Sequence, residues 1–152
     1  MKLPLKKIGM GLVALLLLAQ LIPVDRSVES LPAEQDFLTS VDAPAPMAEL
    51  IRSACYDCHS HETAYPWYAK IAPFSFLIQN HIKEGRQNLN FSAWGSYPEG
   101  KATHKLEECS EEVAEGKMPM KSYTWMHAEA RMSEAQADAL AQWFQQLYRS
   151  RQ

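Results

Sequence analysis

The chain has 152 residues and a formal net charge of −3, with 47% hydrophobic and 22% charged residues. Its 15 basic and 18 acidic residues are intermixed, which excludes the basic patch that is the electrostatic footprint of a nucleic-acid-binding protein. We therefore expect no nucleic-acid partner. The length suits one small domain with flanking segments.

The N-terminus has the pattern of an export signal, because Lys2, Lys6 and Lys7 precede an uncharged run from Ile8 to Ile22. No small-residue cleavage site follows the run, so the sequence predicts that residues 1–23 form an uncleaved apolar helix. Such a helix would anchor the protein on the periplasmic side of the bacterial inner membrane. Release into the soluble periplasm after cleavage is the alternative. An anchor would need help from flanking apolar residues, since 15 residues give about 22 Å of helix against a hydrocarbon core of about 30 Å.

The next stretch, residues 24–46, is predicted to be a linker, because it combines prolines with scattered acidic residues and has little periodicity. Residues 47–148 then form the domain. Its first helix carries apolar side chains at spacings of three and four residues and leads directly into Cys55. These side chains belong to Met47, Leu50, Ile51 and Ala54.

The segment Cys55-Tyr56-Asp57-Cys58-His59 follows this helix and has the C-x-x-C-H pattern. That pattern is typical of covalent attachment of a c-type haem. Two thiols on one helical turn can each form a thioether with a haem vinyl group, and the adjacent histidine then provides an axial ligand to the iron. The pattern occurs once, so we expect one haem. A zinc site, a free dithiol and a structural disulfide are the alternatives.

Three further helices are predicted after the motif. The second helix of the domain follows Pro73 and ends near Gly85, and an aromatic loop over 88–100 separates it from the third. The third begins with Thr103 as N-cap and ends at Gly116. The fourth opens with a capping box formed by Ser133 and Gln136. The fold class is therefore all-α, with helices packed around one covalent haem as in a small cytochrome c.

The sixth ligand of the iron is predicted to be Met118, which follows Gly116 and precedes Pro119 in a loop. Methionine ligation raises the reduction potential of haem iron. The alternatives are Met120 and three histidines, His81, His104 and His127. His61 lies too close to His59 in sequence to reach the other face of the haem easily.

Other residues are candidates for secondary roles. Arg86 can pair with a haem propionate, and Trp94 or Tyr123 can donate a hydrogen bond to the same group. Cys109 is predicted to be a small buried residue, because it shares a helical face with apolar neighbours. The aromatic residues Trp67, Tyr68 and Trp143 are predicted to lie in the core.

Residues from about 21 to 147 resemble the bacterial haem-binding-domain family of exported proteins. The resemblance rests on several stretches: Ile22-Pro23-Val24-Asp25-Arg26, the C-x-x-C-H segment with Ser60, Tyr65-Pro66-Trp67-Tyr68, Ile71-Ala72-Pro73, Glu84-Gly85-Arg86, Asn90-Phe91-Ser92-x-Trp94, Gly116-Lys117-Met118-Pro119, Tyr123 and His127. It implies a c-type haem domain, usually with an N-terminal membrane segment.

Two functions fit these features. The first is electron transfer by a membrane-tethered periplasmic cytochrome, with both axial positions filled and a redox partner protein that the sequence does not identify. The second is a haem-based ligand sensor or weak peroxidase with an open or labile sixth position. We expect the electron carrier rather than an enzyme, because Met118 is available to close the site and no distal arginine and histidine pair can be recognised.

Overall fold

The computed structural model describes residues 4–152, which form helices and contain no strand. The α-helices are α1 (Leu5–Ala19), α2 (Phe37–Ser40), α3 (Ala45–Ala54), α4 (Tyr56–His59), α5 (Phe74–Asn88), α6 (Glu99–Ala114), α7 (Lys121–Met126) and α8 (Glu134–Arg149). Short 3-10 helices cover Ala33–Gln35, Trp67–Lys70, Phe91–Ser96 and Ala128–Ala130. The all-α prediction is confirmed.

The core lies between the long helices α6 and α8 and the segments around α2 and α3. Leu106 of α6 faces Leu140 and Phe144 of α8, and all three side chains are buried. A buried hydrogen bond, from Ser110 Oγ of α6 to the carbonyl oxygen of Ala141, also joins the pair at 2.9 Å. These contacts fix α6, one wall of the site described below.

Helix boundaries follow the sequence signals closely for α8 and less closely elsewhere. The capping box of Ser133 and Gln136 is present at the start of α8, which confirms that prediction. Helix α6 begins at Glu99, earlier than the predicted cap at Thr103, because Pro98 is an N-cap whose extended backbone leads into the helix. Helix α5 continues past Gly85 to Asn88.

Residues 24–46, expected to be a linker, contribute to the core. Phe37 is completely buried and Leu38 is buried beside it. The Phe37 ring packs edge-on against Trp94, with ring centroids 4.7 Å apart, and is tilted against Phe91 at 5.1 Å. The carboxylate of Asp36 caps α2 by accepting a hydrogen bond from Leu38 N. The prolines of this stretch thus flank a short packed segment.

The predicted membrane anchor is wrong. Among residues 4–152, no helix is both long and apolar enough to cross a membrane. Helix α1 has 15 residues, or about 22 Å, whereas a span needs about 20 residues. Lys2, one of the basic residues of the predicted export signal, lies outside the described residues. Export is a separate prediction that the helix length does not test.

The aromatic segment around Trp67 also departs from expectation. Trp67 was predicted to be core, yet 73% of it is exposed, so that prediction is wrong. Its neighbour Tyr68 is partly buried because its hydroxyl bonds to His127 Nε2 at 2.7 Å.

Candidate functional site

A cavity of about 640 Å³ lies between the C-x-x-C-H segment, α5, α6 and the loop before α7. Its volume is in the range of small-molecule and cofactor sites. The attachment motif contributes Cys55, Cys58 and His59 to the lining, and Met118 contributes from the loop. The fold therefore brings together the four residues that sequence analysis placed at the centre of the site, although Met118 is far from the motif along the chain.

His59 is held in one orientation by two backbone carbonyl groups. Its Nδ1 lies 3.0 Å from Gly85 O and 3.1 Å from Leu89 O. Carbonyl oxygens only accept hydrogen bonds, so Nδ1 carries the proton and Nε2 keeps its lone pair. Burial lowers the pKa of His59, and this outweighs the two hydrogen bonds, which raise it. The imidazole is thus neutral and oriented as a metal ligand requires.

Gly85 allows α5 to approach the motif closely. A Cβ atom at this position would lie 2.7 Å from the backbone oxygen of Cys58, a distance that side chains do not tolerate. The glycine was predicted to end the helix, but here it is a point of helix-to-helix contact. Because Gly85 O also accepts the hydrogen bond from His59, the close approach sets the position of the imidazole.

The two motif thiols are partly buried and protonated. Burial raises the pKa of Cys55 to about 12 and that of Cys58 to about 11. Cys109 of α6 lines the same cavity, and burial raises its pKa as well. All three cysteines are free thiols. Neutral thiols in an apolar wall fit addition to a vinyl group better than they fit a thiolate metal centre.

Candidates for the second axial ligand divide into two groups. Met118, Met120, His81 and His104 line the cavity. His127 is engaged elsewhere, with Nε2 on Tyr68 and Nδ1 3.0 Å from Glu129 Oε1. His61 likewise uses both nitrogens, on the carbonyl of Glu29 and the amide of Asn90.

The three residues predicted to bind propionates occupy different places. Tyr123 lines the cavity, and its hydroxyl donates to Asp57 Oδ2 at 2.7 Å. Arg86 is outside the cavity lining, with Nε on Ser60 O at 2.7 Å and Nη2 on Thr63 Oγ1 at 2.9 Å. Trp94 is 3% exposed and belongs to the core around Phe37. Propionate binding by these residues stays a prediction.

Lys105 was missed by sequence analysis. It is the one lysine or arginine among the described residues that line the cavity, and its ammonium group pairs with Glu108. The available signal was its position one helical turn before Cys109, which places both residues on neighbouring parts of the α6 surface. Lys105 offers a cation to an anionic group inside the cavity.

The donor set fits haem. A porphyrin supplies four nitrogens to its iron, so the protein needs to provide only axial ligands, and His59 is prepared for one position. Among residues 4–152, no group of three or more His, Cys, Asp or Glu side chains is arranged to hold a bare metal ion. The cavity walls add apolar contacts from Leu89, Phe91, Val113 and Phe144. Such walls suit a flat macrocycle.

Comparison with known proteins agrees with this chemistry. A family model described as a haem-binding domain matches residues 14–146. No curated protein and no solved structure matches the chain. The family match spans most of the sequence and confirms the resemblance seen in its motifs. The chain therefore belongs to the haem-binding domain family, and its cofactor is haem.

Proposed function

We propose that the protein is a c-type cytochrome that holds one haem through thioethers to Cys55 and Cys58 and transfers single electrons between partner proteins. One observation carries the proposal: both motif thiols share a cavity with a neutral His59 imidazole whose Nδ1 is fixed by two backbone carbonyls. A non-covalent haem site would need the histidine but would have no use for the two partly buried thiols beside it.

Met118 is the proposed second axial ligand. It lines the cavity together with the motif, and its thioether is a soft donor that favours ferrous over ferric iron. A haem with both axial positions filled by the protein has no open position for a substrate. The bound haem supplies reversible one-electron chemistry, and the chain contributes ligation, orientation and exclusion of water.

The protein contributes a low reorganisation energy to electron transfer. His59 cannot rotate without breaking its hydrogen bonds to Gly85 and Leu89, and α5 approaches the backbone of Cys58 closely at Gly85. A site that keeps the same geometry in both oxidation states is preorganised for electron exchange. The redox partner is a protein whose identity the chain does not indicate.

Attachment is tested by expressing the full chain with haem-ligation machinery. The wild type should retain haem on a denaturing gel, and the double variant Cys55→Ala with Cys58→Ala should not. The matched control is Cys109→Ala, which removes a third thiol from the same cavity and should leave the covalent haem in place. Absence of covalent haem from the wild type would contradict the proposal.

Axial ligation is tested by Met118→Ala, with Met120→Ala as the control because both methionines line the cavity. The Met118 variant should lose the far-red charge-transfer band of methionine-ligated ferric haem, bind carbon monoxide readily and have a lower reduction potential. The Met120 variant should keep the wild-type values. Immediate binding of carbon monoxide by the wild type would instead favour the ligand sensor or weak peroxidase.

A further inference from the structure

The loop that carries Met118 is attached to α6 on its N-terminal side. The backbone N–H groups of Lys117 and Met118 both donate to Glu112 O, each at 3.0 Å. Gly116 makes this turn possible, with φ at +66° and its own N–H on Val113 O at 3.1 Å. The position of Met118 is therefore tied to α6 by its preceding backbone.

On the C-terminal side, the loop runs into α7, a helix of six residues with no buried side chain. Trp125 is 79% exposed and Met126 is 54% exposed. Apolar packing therefore does little to hold α7 against the domain, since burial is what stabilises a short helix. Polar contacts hold this side of the Met118 loop. The Tyr68 hydroxyl bonds to His127 Nε2 at 2.7 Å just past α7, and Arg131 donates to the carbonyl oxygens of Thr124 and Trp125.

Tyr123 of α7 makes the hydrogen bond that reaches the attachment motif. Its hydroxyl donates to Asp57 Oδ2 at 2.7 Å, across 66 positions of sequence. Asp57 lies between Cys55 and Cys58, so the bond joins α7 to the attachment motif itself. Burial raises the pKa of Tyr123, and the bond to Asp57 raises it further, so the phenol stays protonated as a donor.

Both partners of this hydrogen bond make a second contact that restricts their orientation. Asp57 Oδ1 accepts a hydrogen bond from Ala64 N at 2.8 Å, which fixes the carboxylate. The Tyr123 ring stacks on His127, with ring centroids 4.3 Å apart and planes 16° apart. The hydroxyl and the carboxylate therefore meet with little rotational freedom to lose, which favours a strong hydrogen bond.

We propose that Tyr123 is a positioning residue for the second axial ligand, and that it acts through Asp57 by holding the Met118 loop against the C-x-x-C-H segment. The inference rests on the proposed function, because it assigns a role to Tyr123 only if Met118 binds the iron. Asp57, the second residue between the two cysteines, would then have a role beyond spacing the thiols.

The test uses the full chain with haem attached. Tyr123→Phe keeps the ring and its stacking on His127 but removes the donor. Tyr65→Phe is the control, because the Tyr65 hydroxyl bonds to Gln79 at 3.4 Å and has no hydrogen bond to Asp57. If Met118 binds the iron, added imidazole should replace it in the ferric protein, at a rate that depends on how readily the loop opens. We expect Tyr123→Phe to accelerate this replacement roughly tenfold, because a charge-assisted bond contributes about 1.4 kcal/mol at a half-buried site.

Asp57→Asn replaces the charged acceptor by a neutral amide and should also accelerate replacement. The double variant should be no faster than the faster single variant, since both changes weaken the same interaction. Hydrogen exchange of the α7 amides gives a second readout that does not depend on iron, and it should also be faster in Tyr123→Phe. Wild-type rates in Tyr123→Phe, or additive effects in the double variant, would overturn the inference.

Failure of the proposed function gives a different pattern. If Met118→Ala leaves the ferric spectrum and the reduction potential unchanged, Met118 is not a ligand, and the positioning role falls with it whatever the exchange of α7 shows. If Met118→Ala changes the spectrum but Tyr123→Phe changes neither readout, the axial ligand stands and only the role of Tyr123 is refuted.

Discussion

Replacing Gly85 by alanine should weaken the fold at the point where it orients His59. The added Cβ would lie 2.7 Å from the carbonyl oxygen of Cys58 and 3.2 Å from its carbonyl carbon. Both are backbone atoms, which cannot move aside as the end of a flexible side chain can. Helix α5 would have to shift away from the motif, lengthening the hydrogen bond between Gly85 O and His59 Nδ1.

The size of the effect is a balance of three terms. Overpacking of this kind costs about 1–3 kcal/mol, and weakening one hydrogen bond adds about 0.5–1.5 kcal/mol. Replacing glycine within a helix returns up to about 1 kcal/mol. We therefore expect Gly85→Ala to lower the free energy of unfolding by about 0.5–4.5 kcal/mol.

The matched control is Gly100→Ala in α6, where a Cβ would meet nothing within 4 Å. This variant should be as stable as the wild type or more stable by up to about 1 kcal/mol. Urea unfolding of the holoprotein, followed by far-UV circular dichroism, measures both variants, and equal m-values would allow the midpoints to be compared directly. A Gly85→Ala variant as stable as Gly100→Ala would refute the close-contact argument.

Two further predictions concern the segment between α1 and the motif. Phe37→Ala should lower the free energy of unfolding by about 3–5 kcal/mol because the ring is completely buried, whereas Phe74→Ala, at a position that is 54% exposed, should cost much less; equal midpoints in urea would show that Phe37 is not part of the core. Tyr56→Phe removes a buried hydroxyl that donates to both oxygens of Asp36, at 2.9 and 3.0 Å, and should cost about 1.5–3 kcal/mol. Tyr65→Phe should stay near the wild type, and a similar loss in both tyrosine variants would count against the Asp36 bond.

Local sequence signals predicted the helices well where one strong cap or one apolar face decided the outcome. The Ser133 capping box fixed the start of α8, and the periodic apolar residues of α3 lead into Cys55 as expected. Gly116 ends α6 with a positive φ, as its position predicted. Each of these features depends on residues within four positions of one another, which is why a single sequence contains them.

Signals that depend on the partner surface were less informative. Gly85 was predicted to end a helix. Its close contact with Cys58 was not predicted, because a sequence does not show which backbone approaches a glycine. Trp67 was predicted to be core from its chemistry alone, whereas its exposure depends on how its segment packs against the rest of the domain. The burial of Phe37 was not predicted, because the nearby prolines are typical of linkers. Prolines also flank short packed helices.

The residues of the candidate site show the same difference between local and long-range signals. Sequence spacing selected Cys55, Cys58 and His59, and a methionine before proline in a loop selected Met118. The structure places all four in the lining of one cavity, while haem attachment and iron ligation stay predictions. The bond between Tyr123 and Asp57 leaves no trace in periodicity or spacing, since it joins two elements 66 residues apart. Tyr123 was selected for its hydroxyl, and that hydroxyl donates to Asp57 of the motif. The chemistry of a tyrosine can thus be predicted from the sequence, but its hydrogen-bond acceptor depends on how α7 packs against the motif.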